Sequence, residues 1–224
     1  MKYIKKIGYE IEGLWSNNFD ELTKKIGGDF TYDGSINIDT IDLEVNGIEG
    51  SFSEFTEREY RSNPRCSLER IAKDLDEIKK YFVLANYSCG FHVHISFKSK
   101  TFISLLASKH FNDYFVKRIA EMFPEMFALR QGNHYCSPRV RSRKEVIYSF
   151  LTGAGDRYKA VNFNAWSKHS TIEFRIFDMN IDMALDYIKA TVKIVQDYLD
   201  EEMKKQKVVI QKIIKPVIKQ QIYV

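Results

Sequence analysis

The chain has 224 residues, of which 44% are hydrophobic, 14% aromatic and 29% charged, so it can build a full hydrophobic core and is neither disordered nor fibrous. Its net charge of +4 conceals an uneven distribution, because residues 8–60 carry a net charge of −10 and residues 61–180 carry +9. This division excludes a uniformly basic nucleic-acid binder, and we do not expect nucleic acid as a partner.

Three widely spaced cysteines without a CxxC pair argue against a disulfide framework and a zinc knuckle. The first residues lack the continuous apolar stretch of a signal peptide, and no run of about 18 apolar residues occurs. We therefore expect a cytoplasmic protein with no membrane partner.

The first half of the chain predicts short strands and two helices. Alternation predicts a strand over residues 3–12, and a short helix is predicted to end at Gly27-Gly28. Asp33-Gly34-Ser35 predicts a turn, and the alternating apolar and acidic residues of 36–55 predict further strands. Ser67 is the predicted N-cap of a helix whose apolar face contains Leu68, Ile71, Leu75, Ile78 and Phe82.

The second half predicts longer helices around further strands. Strands are predicted over 91–97, 159–165 and 170–177, and helices over 101–122, 144–151 and 181–205, with an arginine-rich loop at 128–143. The tail 208–224 fits either a docking strand or a broken helix. The predicted fold class is α+β, a mostly antiparallel sheet with helices on one face, in a single domain of residues 1–207.

Three predicted strands each carry two polar residues separated by one position, namely Glu10/Glu12, His92/His94 and Glu173/Arg175. A strand has a side-chain period of two, so both members of a pair lie on one face, opposite apolar neighbours. A solvated strand face more often carries Lys, Thr and Ser. If the three strands share a sheet, we expect the pairs to form one site.

Paired glutamates on one strand face repel each other unless a cation lies between them, and their oxygens suit Mg²⁺ or Mn²⁺. His94 fits either a direct ligand or a residue hydrogen-bonded behind one. Further oxygen ligands can come from Asp33, Asp39, Asp42 and Glu44, although Asp39 and Asp42 fit better as solvated turn residues.

The basic part of the chain supplies guanidinium groups, which match phosphate and carboxylate geometry. They belong to Arg130, Arg139, Arg141, Arg143, Arg157 and Arg175. A solvated basic loop is the alternative for any one of them, less so for Arg175, which is fixed within an apolar strand. Metal-binding carboxylates facing such arginines indicate nucleotide phosphoryl transfer.

The strings IGYEIEG, DGS, DLEV, CGFHVHISF, LRQGNHYCSPRVRSR, RYKAVNFN and STIEFRIFD follow one another from about Gly8 to Asp178. In this order they resemble the amidoligases, which are carboxylate–amine ligases of the glutamine synthetase superfamily. GFHVH and TIEFR are the more specific parts. The resemblance implies a glutamine synthetase-like sheet that binds ATP with Mg²⁺ (or Mn²⁺). It also implies a reaction in which a carboxylate becomes an acyl phosphate and an amine then forms the amide.

Motif by motif, the resemblance implies metal ligands at Glu10, Glu12, Glu44 and Glu173, and at His92 unless it positions the phosphate. It implies that Arg175 stabilises the transferring phosphoryl group. It places Arg139, Arg141 and Arg157 near the nucleotide or acyl phosphate, together with Asn162 and His94. The candidates for the second acidic position and for the general base are Asp33, Glu44 and Glu49. The sequence departs from the family pattern after the last strand, where SKHSTIEFRIFDMNID contains no glycine.

The expected partners are small-molecule, peptide or protein carboxylates and amines. A homo-oligomer is compatible with the resemblance, because glutamine synthetases build sites between subunits. Two other hypotheses are a metal-dependent phosphodiesterase or nuclease that uses the same residues, and a non-enzymatic binding protein on the same sheet. The three retained polar pairs argue against the last of these.

Overall fold

Seven strands form one sheet in this computed structural model, which describes residues 1–138 and 142–221. The strands are β1 (Ile4–Ser16), β2 (Asp29–Thr31), β3 (Phe55–Arg61), β4 (Phe82–Leu84), β5 (Gly90–Phe97), β6 (Val161–Asn162) and β7 (Ile172–Asp178). Their order is β2-β3-β1-β5-β7-β6, with β4 paired to the end of β1, and the paired strands run antiparallel. The predicted α+β class with a mostly antiparallel sheet is confirmed.

The described residues also form nine α-helices. They are α1 (Asp20–Ile26), α2 (Thr40–Val45), α3 (Leu68–Ile78), α4 (Lys100–Leu106), α5 (Lys109–Met122), α6 (Pro124–Arg130), α7 (Arg143–Thr152), α8 (Ala165–His169) and α9 (Ala184–Gln221). Ser67 caps α3 as predicted, since its side chain accepts a hydrogen bond from the backbone N–H of Arg70. In the described residues, no helix is both long enough and apolar enough to cross a membrane.

One face of the sheet forms the core, as its alternation predicts. The alternate residues of β5, Phe91, Val93 and Ile95, are fully buried, and Ile7 and Ile11 of β1 behave in the same way. Helices α4, α6 and α9 contact this sheet. Burial of each such side chain stabilises the fold by about 1.5–3 kcal/mol relative to exposure, which explains why the apolar face is covered. The opposite face of the sheet carries the polar residues of β1, β5 and β7.

The prediction of strands over residues 36–55 is wrong for its central part, where α2 forms instead. Asp39 and Asp42 make a reciprocal capping box, in which each carboxylate accepts from the other residue's backbone N–H, at 3.1 and 3.0 Å. Two N-terminal N–H groups of the helix are thereby satisfied, which outweighs the apolar–acidic alternation. Strand β3 follows at Phe55–Arg61, a strand that the sequence analysis missed.

Three other boundaries differ from the sequence predictions. The helix predicted over 101–122 is two helices, because Ser108 accepts from Phe111 N–H and starts α5 anew. Residues 124–130 form α6, with Pro124 in the first turn, where its missing N–H costs nothing. Helix α9 continues past the predicted boundary at residue 207 to Gln221, so this part of the tail is neither strand nor broken helix. Residues 222–224 lie outside the described residues.

The three cysteines differ in burial. Cys66 is exposed, whereas Cys89 and Cys136 are buried, and burial raises the pKa of both, that of Cys89 to about 12. Because the thiolate is the nucleophile, we expect a disulfide reagent such as DTNB to react rapidly with Cys66 alone in the native protein and with all three thiols after denaturation. Rapid modification of Cys89 or Cys136, identified by peptide mass, would contradict the described packing.

Candidate functional site

The three predicted polar pairs lie together, because β1, β5 and β7 are neighbours in the sheet. In the antiparallel register Glu10 is opposite His92, and His94 is opposite Glu173. Directly opposed residues share a face, so the prediction that the pairs meet is confirmed. We call the resulting group the sheet-face cluster: Glu10, Glu12, Glu59, His92, His94 and Glu173.

Glu10 lies between the two histidines at the centre of the cluster. Its Oε2 is 3.1 Å from His92 Nδ1 and its Oε1 is 3.2 Å from His94 Nε2. Burial alone would raise the pKa of Glu10, but the two imidazoles outweigh burial and hold that pKa well below its usual range. Burial would lower the pKa of His94, and the Glu10 carboxylate raises it instead. Glu10 and His94 therefore stabilise each other's charged forms.

Glu173 connects the cluster to two further polar residues, Arg175 of its own strand and Asn162 of the neighbouring β6. It accepts hydrogen bonds from Arg175 Nη1 and, at 2.6 Å, from Asn162 Nδ2, and its Oε1 is 3.6 Å from His92 Nδ1. Burial opposes ionisation of Glu173, but Arg175 overcomes this and lowers the pKa of the carboxyl group. The second nitrogen contact of Arg175 runs from Nε to the carbonyl oxygen of Tyr135, at 3.3 Å. These two contacts hold Arg175 beside the cluster.

Glu12 and Glu59 face each other across β1 and β3, and each is only 4% exposed. Glu12 accepts from the N–H of Gly90 at 2.6 Å, and Glu59 accepts from Arg61 Nε at 2.5 Å. Burial raises the pKa of both carboxyl groups. Like charges directly opposite on a sheet are unfavourable, and burial makes the repulsion stronger. A cation placed between them would relieve it.

The donor atoms fit a divalent cation. Three groups of three side chains each bring their ligand atoms within 4.8 Å of one another, namely Glu10/Glu59/His92, Glu10/His94/Glu173 and Glu12/Asp33/Glu59. Carboxylate oxygens suit Mg²⁺ and Mn²⁺, and the imidazoles favour Mn²⁺ slightly. Five carboxylates share this region with two ion-pairing arginines, Arg61 and Arg175, which leaves negative charge for an ion to balance.

We expect Mn²⁺ or Mg²⁺ to raise the melting temperature of the protein. An ion at about 100 times its Kd stabilises the folded state by about 2.7 kcal/mol, provided that the unfolded chain does not bind it. The measurement is thermal unfolding with MnCl₂ or MgCl₂ against NaCl of equal ionic strength. Glu10→Gln should remove most of the increase, and an equal increase in that variant would contradict a site at Glu10.

A cavity of about 610 Å³ opens beside the cluster, a size suited to a small organic ligand. Glu10, Glu59 and Glu173 lie in its wall, and its lining also includes basic side chains, namely Arg61, Arg157, Lys168, His169 and Arg175. The Arg157 guanidinium is exposed and lies 5.0 Å from the centre of the Tyr158 ring. A wall that combines carboxylates with cations can hold a metal ion together with an anion such as phosphate.

Most of the predicted site residues are in or beside the cluster. Asn162 is buried against Glu173, and Arg157 lines the cavity. The prediction of a metal ligand at Glu44 is wrong. Helix α2 replaces the predicted strand and leaves the Glu44 side chain exposed, outside the candidate ligand groups that the described residues form. Glu49 is also exposed, whereas Asp33 lies near Glu12 and Glu59. Arg139 and Arg141 lie outside the described residues.

Sequence reasoning missed Glu59 and Arg61 because no strand was predicted for residues 55–61. The signal was present in the alternation of Glu57, Glu59 and Arg61, which repeats the spacing of Glu10 and Glu12. Pairing with β1 then places Glu59 opposite Glu12 and Arg61 opposite Glu10. The second acidic strand of the site is therefore β3.

No protein-family model matches the chain, and no curated protein matches it in sequence.

Proposed function

We propose that this protein is an ATP-dependent carboxylate–amine ligase built on a glutamine synthetase-like sheet. The observation that carries the proposal is the convergence of Glu10, Glu12, Glu59 and Glu173 with two histidines, beside a cavity that contains Arg175 and Arg157. Carboxylates that fit Mg²⁺ or Mn²⁺, next to guanidinium groups that fit phosphate, are the combination that phosphoryl transfer from ATP requires. The resemblance of the strand motifs to amidoligases supports the same reaction.

The site residues divide into two roles. Glu10, Glu12, Glu59 and Glu173, with His92 or His94, would hold Mg²⁺ or Mn²⁺, which would neutralise charge on the ATP phosphates. Arg175 would stabilise the three equatorial oxygens of the transferring phosphoryl group, and its contact with Glu173 keeps it oriented before substrate binds. Arg157 would bind phosphate at the exposed side of the cavity.

The proposed reaction has two steps. A carboxylate oxygen of the first substrate attacks the γ-phosphorus, the bond to the bridging oxygen breaks, and ADP leaves. The amine nitrogen then attacks the acyl carbon, inorganic phosphate leaves with one former carboxylate oxygen, and a proton passes from nitrogen to a base. Asp33 lines the cavity and is the candidate for this base, while its Oδ1 accepts from Ser35 N–H and Oγ.

The test is ADP release from ATP with Mg²⁺ or Mn²⁺ and pooled carboxylates and amines, including amino acids, peptides and cell-wall fragments. We expect ADP release that requires both a carboxylate and an amine, with an amide product of matching mass. Cleavage of bis(p-nitrophenyl) phosphate without ATP would instead indicate a phosphodiesterase. Absence of nucleotide turnover with every pool would indicate a binding protein.

Isotope transfer separates the ligase from a simple ATPase. Once an active carboxylate is found, its ¹⁸O-labelled form should transfer one ¹⁸O atom to the released inorganic phosphate. That transfer follows because the carboxylate oxygen that attacks phosphorus stays with the phosphate when the amide forms. Unlabelled phosphate beside labelled amide would contradict the acyl phosphate.

A further inference from the structure

A second cavity, of about 810 Å³, lies between the loop before β5, the end of α6 and the end of β7. Its lining includes Asn86, Tyr87, Arg130, Asn133, Tyr135 and Met179. Among the described residues, the two cavities share no lining residue. The second cavity is therefore a separate pocket, and the ligase proposal assigns it no role.

Arg130 is the buried charge of this cavity. The residue is only 5% exposed, and its Nη1 donates to the carbonyl oxygens of Cys89, at 3.1 Å, and Tyr87, at 3.5 Å. Its Nε is buried without a hydrogen-bond partner, and no described carboxylate forms an ion pair with the guanidinium. A guanidinium stays charged at all relevant pH values, so burial without a counter-ion is strongly unfavourable. A bound anion would supply the missing partner.

The sheet-face cluster does not supply that anion. A Cβ atom on Gly90 would lie 2.9 Å from His92 Nε2, 3.1 Å from Arg130 Nη2 and 3.3 Å from Glu12 Oε2, so the glycine lets these groups approach one another. Glu12, however, accepts from the Gly90 N–H, and its ion-pair contact is with His92 Nε2, at 3.6 Å. Arg130 thus lies between the cluster and the second cavity, and its Nε–H has no hydrogen-bond partner among the described residues.

We propose that the second cavity binds a small organic oxyanion, a carboxylate or a phosphate ester, and that Arg130 receives its anionic group. A planar guanidinium can donate two parallel hydrogen bonds to either group, which gives both charge and orientation. Leu129, Tyr135 and Met179 offer apolar surface for the body of the ligand, and Asn86 and Asn133 offer amides. The proposal rests on Arg130 and its cavity and is independent of the ligase chemistry.

Asp178 gives the anionic group a direction. It lines the same cavity, and its Oδ1 accepts from Tyr187 Oη. An oxyanion is repelled by the Asp178 carboxylate and attracted by Arg130, so the anionic group of the ligand should lie at the Arg130 end of the cavity. A ligand that also carries an ammonium group would gain a favourable contact with Asp178.

The experiment is ligand binding to the full chain in the presence of EDTA, followed through the Arg130 Nε–H signal in ¹⁵N NMR spectra. The probes are benzoate, L-glutamate, AMP and inorganic phosphate at millimolar concentration. Carboxylate and phosphate sources are thereby distinguished, and EDTA removes cations from the sheet-face cluster. We expect saturable binding of at least one organic probe with a shift of the Arg130 signal.

Two variants separate loss of the site from loss of the fold. Arg130→Met removes the charge at similar length, and we expect binding to weaken about 10- to 100-fold, the effect of removing a charged hydrogen-bonding partner. Gly132→Phe adds bulk at the lining of the cavity and leaves the Arg130 side chain in place, and a Cβ at residue 132 meets no heavy atom within 4 Å. We expect it to fold normally and to weaken binding to a similar extent, measured by a competition or thermal-shift titration.

Arg118→Met is the matched control, because Arg118 forms a surface ion pair with Glu121 and lines neither cavity, and binding of the same probe should be unchanged. The proposal is overturned if none of the four probes binds, or if binding is equal in wild type, Arg130→Met and Gly132→Phe. Since no ATP turnover enters the measurement, failure of the ligase proposal would not affect this outcome.

Discussion

Replacing Glu173 by Gln is expected to slow ATP-dependent ADP release about 100- to 1,000-fold, the usual effect of removing one preorganised charged contact from a reaction site. Glu173 contacts Arg175, Asn162 and both histidines of the cluster, so the substitution removes a proposed metal ligand and releases Arg175 at once. Glutamine keeps the size of the side chain. The measurement is the steady-state rate of ADP release at saturating Mg²⁺–ATP.

Glu44→Gln is the matched control, because Glu44 is exposed on α2 and its substitution removes the same charge outside the cluster. Its rate should equal that of the wild type. Glu173→Gln also leaves Arg175 without its carboxylate, so thermal unfolding must show that the variant is folded at the assay temperature. A folded Glu173→Gln protein with wild-type turnover would rule out a role of Glu173 in the reaction.

Arg175→Lys is expected to lower kcat about 1,000-fold with a much smaller change in KM for ATP. Lysine keeps the positive charge beside Glu173 but lacks the planar fork that binds two phosphate oxygens together. If Arg175 acts mainly on the transferring phosphoryl group, its loss affects the transition state more than ground-state binding. Arg175 is 9% exposed, and the charge retained by lysine should preserve the fold.

Arg118→Lys serves as the control for this substitution, because Arg118 forms a surface ion pair with Glu121 on α5. It should leave kcat unchanged. If Arg175→Lys instead raises KM and leaves kcat unchanged, Arg175 binds the ground state and the transition state equally well. That result would contradict a specific role of Arg175 in stabilising the transition state.

Side-chain periodicity is the reason that much of the site could be predicted. On β1, β5 and β7 each polar pair alternates with apolar residues that are buried on the other face of the sheet. The period of two therefore identifies each strand and shows that the two members of a pair share one face. Which strands are neighbours depends on tertiary pairing. The antiparallel register that places Glu10 opposite His92 turns three separate pairs into one cluster.

The sequence predictions are wrong where the local preference of a segment differs from the structure that tertiary pairing imposes on it. The alternation of residues 36–55 suggested a strand at Glu44, but the Asp39–Asp42 capping box stabilises a helix there. Glu59 was missed because a mixed stretch of Glu, Arg and Tyr becomes a strand only through its pairing with β1. The unpaired state of Arg130 depends on which carboxylates surround it after folding, and no sequence pattern contains that information.

The most direct test of the central claim is calorimetric titration of Mg²⁺–ATP into the metal-free protein and into the double variant Glu10→Gln/Glu173→Gln. We expect saturable binding to the wild type and to Glu44→Gln, with binding weakened at least tenfold in the double variant, because two carboxylates of the proposed cation site are lost. Undiminished binding to a folded double variant, or no binding to the wild type, would contradict a metal–nucleotide site on this face of the sheet.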